Sequence, residues 1–256
     1  MTVTSVDVHE LQDKVQAMYQ EVAEHPGGRF HFEMGRVLAQ RLGYPTEVLD
    51  RIPTGAVDSF AGVGYFFDMA DLQPGERVLD LGSGSGMDAF FAALAVGERG
   101  VVQGLDMTDA QLRKADRLRA AGGFGWVQFT PGHIEGLPFP DESFDVVISN
   151  GVINLSPAKA VVFAEAARVL RPGGRLAVAD IVTEEPLTET IVCNTDLWAS
   201  CIGGAAQEDA YQDAIAGAGF EVQQTRMNDY HFLSRQALNA SSTYGVKSVS
   251  ILARRT

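Results

Sequence analysis

The stretch Val78-Leu79-Asp80-Leu81-Gly82-Ser83-Gly84-Ser85-Gly86-Met87-Asp88 constrains the fold more than any other part of the chain. Val78, Leu79 and Leu81 form an apolar run of strand length, as a parallel strand covered on both faces requires. Three glycines follow at alternate positions. They permit positive φ and let the backbone approach a ligand with no Cβ in the way. Ala89-Phe90-Phe91-Ala92-Ala93-Leu94 continues as a helix whose N-terminus presents free N–H groups. Dinucleotide folds open in a similar way, but there the third glycine comes one residue later. Asp80, an acid inside the strand just before the turn, suits a ligand with a cationic end better than a bare pyrophosphate.

At 256 residues and 46% hydrophobic, the chain is long enough for one domain with a full core, or one domain with a modest cap. A net charge of −13 repels phosphate backbones and anionic lipid, so neither nucleic acid nor membrane is an expected partner. The apolar runs fall short of the roughly 18 residues of a membrane span. Met1 to Glu10 has neither the basic flank nor the apolar centre of a signal peptide. Two cysteines, Cys193 and Cys201, exclude a disulfide framework and suit a reducing cytosol, so a cytoplasmic location is expected. Neither H-E-x-x-H nor paired Cys-x-x-Cys occurs, and no metal site of the zinc type is expected.

Val6 to Glu24 carries Leu11, Val15, Met18 and Val22 on one helical face, and His25-Pro26-Gly27-Gly28 ends it. A second helix is expected from Phe32 to Leu42, closed by Gly43 and Pro45. Residues 1–70 read as a helical cap over the substrate side, or else a helical extension packed elsewhere on the sheet. Residues 71–256 read as the ligand-binding domain. Gly100 to Asp106 is a second strand ending in an acid, 26 residues after Asp80, where a doubly wound fold sets a carboxylate against ribose hydroxyls. Thr108 and Gln111 have capping-box spacing. Leu112, Ala115 and Leu118 would face inward on that helix, with Arg113, Lys114, Arg117 and Arg119 solvated. Trp126–Thr130, Phe144–Asn150 and Arg175–Val182 read as further strands, the last after the turn Pro172-Gly173-Gly174. A helix from Pro157 to Leu170 precedes that turn. The alternation implies a mostly parallel sheet with right-handed crossovers, so Gly82, Asp106, Ile134 and Asn150 fall at the carboxyl ends of strands. Leu187–Ser200 and Gln207–Ala218 are expected helices, Phe220–Phe232 and Gly245–Arg254 expected strands.

Asp80 and the three alternating glycines resemble the first motif, D-x-G-x-G-x-G, of class I S-adenosylmethionine-dependent methyltransferases. The resemblance implies a Rossmann-like α/β fold with a seven-stranded, mostly parallel sheet, helices on both faces and a last strand inserted antiparallel. It implies S-adenosyl-L-methionine as cofactor. The cofactor would be held by Asp80, Gly82, Ser83, Gly84, Gly86, Asp106, Met107, Ile134, Glu135 and Asn150. Residues after the third strand flank the adenine in such enzymes, with Ile134 offering an apolar face and Glu135 lying near the exocyclic amine. His133 is either an ordinary loop histidine or a functional one.

Four blocks are narrower: Leu105-Asp106-Met107-Thr108, Gly132-His133-Ile134-Glu135, Ser149-Asn150-Gly151-Val152-Ile153-Asn154-Leu155 and Leu197-Trp198-Ala199-Ser200-Cys201-Ile202-Gly203-Gly204-Ala205. Together with the glycine motif they look like arsenite methyltransferases over roughly residues 60–220. That family is understood to hold trivalent arsenic with cysteine thiolates and to attack the sulfonium methyl with the arsenic lone pair. A soft metalloid prefers soft ligands, and a lone pair without a proton needs no general base, so catalysis reduces to in-line positioning. The resemblance implies a catalytic Cys201 as As(III) ligand, with glutathione or a thioredoxin-type reductant as partner.

The chain departs from that pattern. Gly151 stands where the family has a cysteine, as does Val63 within Ala61-Gly62-Val63-Gly64, and the family's cysteine nearer the N-terminus is absent. Cys193 lies eight residues before Cys201. On one straight helix this is a rise of about 12 Å and a rotation of about 80°, too far for two thiolates to hold one atom. Two acceptors stay open: trivalent arsenic on Cys201, or a small organic metabolite methylated on oxygen, carbon or nitrogen. The organic acceptor would call on His133, His31 or Glu135 as base. A non-catalytic protein that binds the same cofactor is a third expectation, and a nicotinamide oxidoreductase a remote fourth.

Overall fold

Alternation along the first strand sets the architecture. Val78 enters the core on one face of the sheet, Leu79 and Leu81 the core on the other, and Asp80 therefore shares the face of Val78. The computed structural model describes residues 7–192, 194, 198 and 202–256. Cys193 and Cys201 lie outside them.

In chain order the elements are α1 (Val8–Glu24), α2 (Gly35–Leu42), α3 (Thr46–Leu49), α4 (Thr54–Asp58), α5 (Phe67–Ala70), β1 (Arg77–Leu81), α6 (Met87–Val96), β2 (Val101–Asp106), α7 (Asp109–Gly122), β3 (Val127–Pro131), β4 (Phe144–Asn150), a 3₁₀ turn (Ile153–Leu155), α8 (Lys159–Val169), β5 (Leu170–Thr183), α9 (Glu189–Val192), β6 (Ala206–Gln207), α10 (Glu208–Gly217), β7 (Phe220–Met227), α11 (Arg235–Tyr244) and β8 (Lys247–Arg255). The sheet runs β3-β2-β1-β4-β5-β8-β7. β1 to β5 are parallel, and β8 is antiparallel to both of its neighbours. The expected seven strands are thus present, with β6 added as a two-residue partner of β5. Helices α2, α3, α5 and α6 cover one face, α8 and α10 the other.

Several boundaries differ from expectation for local reasons. Asp7 caps α1, its carboxylate accepting from the amides of His9 and Glu10. Helix α2 starts at Gly35 rather than Phe32 and ends on Gly43 at φ 106°. β3 spans Val127–Pro131 rather than Trp126–Thr130. Helix α8 begins at Lys159, so Pro157 is not its first residue. β5 begins at Leu170, and the Pro172-Gly173-Gly174 turn is taken up as a bulge where pairing jumps from Phe144–Leu170 to Val146–Arg175. β7 stops at Met227, short of Phe232. The unforeseen α11 carries its own signals: Ser234 accepts from the Ala237 amide, and Gly245 ends the helix at φ 63°. Within the expected helix Leu187–Ser200, α9 covers Glu189–Val192, and most of the remainder lies outside the described residues.

The capping box is also corrected. Thr108 makes no side-chain cap bond, and its amide donates to Asp106 Oδ1 instead. Gln111 turns inward, accepting from Ser85 Oγ and donating from Nε2 to the Tyr19 carbonyl. Lys114 leaves the solvated face to donate to the Ala23 carbonyl at 2.9 Å and to Ser59 Oγ at 2.7 Å. These contacts fasten α1 to α7.

Candidate functional site

The carboxyl ends of β1, β2 and β4 open into one cleft, roofed by α1 through Leu11, Val15 and Tyr19. Its floor is the glycine turn. The Gly82 and Ser83 amides donate to the Leu105 carbonyl, which bends the chain sharply out of β1. Gly82 has φ 70° and Gly86 has φ 93°. A Cβ on Gly82 would lie 2.4 Å from a Val152 methyl, and one on Gly86 2.7 Å from the Phe129 ring. Only glycine satisfies both the dihedral and the space.

Three aspartates meet at this floor. Asp80 is 2% exposed, and its Oδ2 has no hydrogen-bond partner among the described residues. Burial drives its pKa well above the usual carboxylate range, the neighbouring charges of Asp88 and Asp106 add to this, and the Ala89 amide opposes it. Asp88, in the first turn of α6, accepts from Tyr44 Oη at 2.6 Å and from Asn150 Nδ2 at 2.9 Å. Burial lifts it to about 6 against those two donors. Asp106 accepts from the amides of Gly84 at 2.9 Å and Thr108 at 2.8 Å, and burial raises it against these bonds.

Of the sequence-derived set, Asp80, Gly82, Ser83, Gly84, Asp106, Met107, Ile134, Glu135 and Asn150 all line the cleft, whereas Gly86 sits behind it. Glu135 accepts from Ser156 Oγ at 2.6 Å, and His133 lies beside it on the cleft wall. The Ser83 hydroxyl is buried with no hydrogen-bond partner among the described residues. Asn150 is engaged at both ends: Oδ1 accepts from the Val63 and Gly64 amides, and Nδ2 donates to Asp88, Tyr44 and the Gly64 carbonyl. His31 is not on the cleft; its ring meets Phe32 edge-on. Cys201 lies outside the described residues. Among those residues no group of three or more His, Cys, Asp or Glu is arranged to hold a metal ion, and no helix is long and apolar enough to cross a membrane.

Sequence reasoning missed Asp88, Tyr44, Gln111 and Ser59 as parts of this site. Asp88 had a usable signal, lying two residues past the last glycine of the run. Tyr44 had none, since its role comes from ring contacts with Phe60, Tyr65 and Phe91 that surround its hydroxyl. The glycine turn, the partnerless carboxylate and the partnerless hydroxyl together fit a ligand with a polar, cationic end. The acid closing β2 fits a hydroxyl-bearing sugar.

Comparison with known proteins agrees with this geometry. A family model described as "Methyltransferase domain" matches residues 72–228. The arsenite methyltransferase of Halobacterium salinarum is 42% identical over 184 residues, 72% of this chain and 47% of that relative. The human arsenite methyltransferase is 44% identical over 137 residues, 50% of this chain and 36% of the relative. The chain spans about half the length, or less, of the curated relatives it matches. Among solved structures, the arsenic (III) S-adenosylmethionine methyltransferase of Chlamydomonas reinhardtii superposes with a TM-score of 0.63 at 33% identity, covering 87% of this chain and 74% of that one. A geranyl diphosphate methyltransferase solved with its substrate and sinefungin shares the fold, with a TM-score of 0.68 at 18% identity over 96% of this chain and all of that one.

Proposed function

Because the chain belongs to the methyltransferase-domain family, we propose that it transfers the methyl group of S-adenosylmethionine to a small acceptor lodged between α1 and the glycine turn. One observation carries this reading: the buried, partnerless carboxylate oxygen of Asp80 on the floor of the cleft. Bound there, the cofactor supplies an electrophilic methyl on a sulfonium. Asp80, Ser83 and the backbone of Gly82 to Gly86 would hold its amino-acid end, and Asp106 its ribose. Met107, Ile134 and Glu135 would flank its base. Asn150 acts as a positioning residue rather than a direct contact, because its donors and acceptors are already used. Residues 1–70 act as the cap and 71–256 as the cofactor domain.

For the acceptor, an apolar organic molecule is the reading favoured by a specific contact. Val63 and Gly151, the two positions where the resemblance implies cysteines, face each other: a Cβ on Gly151 would lie 3.2 Å from a Val63 methyl. The roof and wall add Leu11, Val15, Phe60, Val152 and Leu155. His133, on the same cleft, would take the proton from such an acceptor. The second reading is trivalent arsenic held by Cys201, supported by the arsenite methyltransferases among the relatives.

The test is a titration with S-adenosylmethionine followed by As(III) and methylarsenite, with product mass spectrometry, on the wild type and on Cys201→Ser. A methylated arsenical that disappears in Cys201→Ser establishes the arsenic reading. Cofactor binding with no arsenic response in either protein supports the organic acceptor.

A further inference from the structure

The cleft is lined by Asp80, Asp88, Asp106 and Glu135, and no lysine or arginine lines it among the described residues. His133 is its one basic side chain. Among the acids, the partners are unequal. Asp106 has two backbone amides, and Asp88 has Tyr44 and Asn150. Asp80, which feels the charges of both, has the Ala89 amide and a buried Oδ2 to which no described residue donates. Two phenols also act on these carboxyls, Tyr44 on both and Tyr65 on Asp88, and burial, which raises both phenols, keeps them neutral. Two adjacent buried carboxylates with so few donors and no cation cannot both be ionised at low cost.

We infer that the Asp80–Asp88 pair carries one proton in the free protein, that it releases this proton to solvent when the cationic cofactor binds, and that it takes one back when the neutral thioether product remains. This rests on the cofactor reading above. The proton sits on Asp80, because the two donors to Asp88 stabilise ionised Asp88 while Asp80 Oδ2 has none. S-adenosylmethionine brings an ammonium, a sulfonium and a carboxylate, hence one net positive charge, which compensates the carboxylate left by the departing proton. Loss of the methyl turns the sulfonium into a thioether and leaves a ligand of no net charge. The uncompensated carboxylate then regains a proton from solvent. Charge balances at each stage, and the site holds the charged cofactor more tightly than the spent one without any change of shape. Burial raises Asp80 well above, and Asp88 to about 6 from, the ordinary carboxylate value, in the direction this requires.

Isothermal titration calorimetry of the wild-type chain, in phosphate and in Tris near pH 7, counts the protons exchanged with S-adenosylmethionine and with S-adenosylhomocysteine. The expected result is release approaching one proton for the former and close to none for the latter. Below the transition, the Kd for S-adenosylmethionine should fall by up to about tenfold for each unit that the pH rises, while that for S-adenosylhomocysteine stays nearly flat. Equal proton counts for the two ligands overturn the inference and leave the cofactor reading standing. Failure of both to bind overturns both. Asp80→Asn is expected to bind S-adenosylmethionine more weakly and without proton release. Should that variant not fold, Tyr44→Phe replaces it: removing a donor from Asp88 must move the release to higher pH, and an unchanged pH profile counts against the proton on this pair.

Discussion

Asn150 Nδ2 donates to Asp88 Oδ2 across 2.9 Å, joining the end of β4 to the first turn of α6. The same side chain accepts from the amides of Val63 and Gly64. One amide thus holds the first turn of α6 and the 61–64 loop in register with the end of β4.

Asn150→Ala should therefore act on both sides of the cleft. It leaves two backbone donors and one carboxylate oxygen without a partner, so a loss of about 1–3 kcal/mol in stability is expected. Urea unfolding measures it. A variant as stable as the wild type would mean that water replaces the amide and that Asn150 holds nothing together.

Gly86→Ala places a Cβ 2.7 Å from Phe129 and 2.9 Å from Phe90 at φ 93°. The strain should lower stability by about 1–3 kcal/mol and weaken binding of S-adenosylmethionine. Gly125→Ala is the control, with nothing within 4 Å of its added methyl. Its stability should stay within about 0.5 kcal/mol of the wild type. Differential scanning calorimetry of the pair decides; equal losses would remove the argument from sterics.

Lys114→Met should loosen the roof. Its ammonium ties the Ala23 carbonyl and Ser59 to α7, and the loss of these bonds is worth roughly 0.5–1.5 kcal/mol each. Hydrogen exchange over residues 8–24 should quicken while the sheet amides keep their protection. Unchanged exchange in α1 would show that Leu11, Val15 and Val22 hold the helix without help.

Stability should fall as pH rises from about 4 to about 6. Burial pushes both Asp88 and Asp180 to about 6, above an unfolded value near 3.9. The folded chain therefore binds more protons in that window, and each deprotonation disfavours it. Asp68 and Glu165, whose arginine partners lower them, act with the opposite sign and mainly below pH 4. Urea midpoints at pH 4.5 and 6.5, in about 0.5 M salt to screen surface repulsion, should be lower at 6.5. A higher midpoint at 6.5 would contradict the buried-carboxylate account.

What the sequence settled alone was local. The glycine turn, the alternation of strand and helix and the acid at the end of β2 are short-range patterns, because backbone conformation and side-chain period depend on near neighbours. From them followed the parallel sheet, the antiparallel insertion of the last strand through the resemblance they carry, and a set of cofactor residues of which all but Gly86 line the cleft. Helix and strand ends were legible only to within a few residues: α8 starts at Lys159 with no side-chain cap to mark it, and β7 stops at Met227, where its pairing with β8 ends.

The tertiary structure decided which polar groups share a partner. Tyr44 and Asp88 are 44 residues apart, Asn150 and Asp88 62, and Lys114 and Ala23 91. The facing of Val63 and Gly151 is of the same kind. No local pattern specifies such pairs. They exist because sheet register brings the strand ends level and low-dielectric burial makes an unpaired polar group too costly to keep unless a ligand is meant to meet it. On the cleft floor the fold leaves Asp80 Oδ2 and Ser83 Oγ without partners among the described residues, and that is where the cofactor is expected to be held.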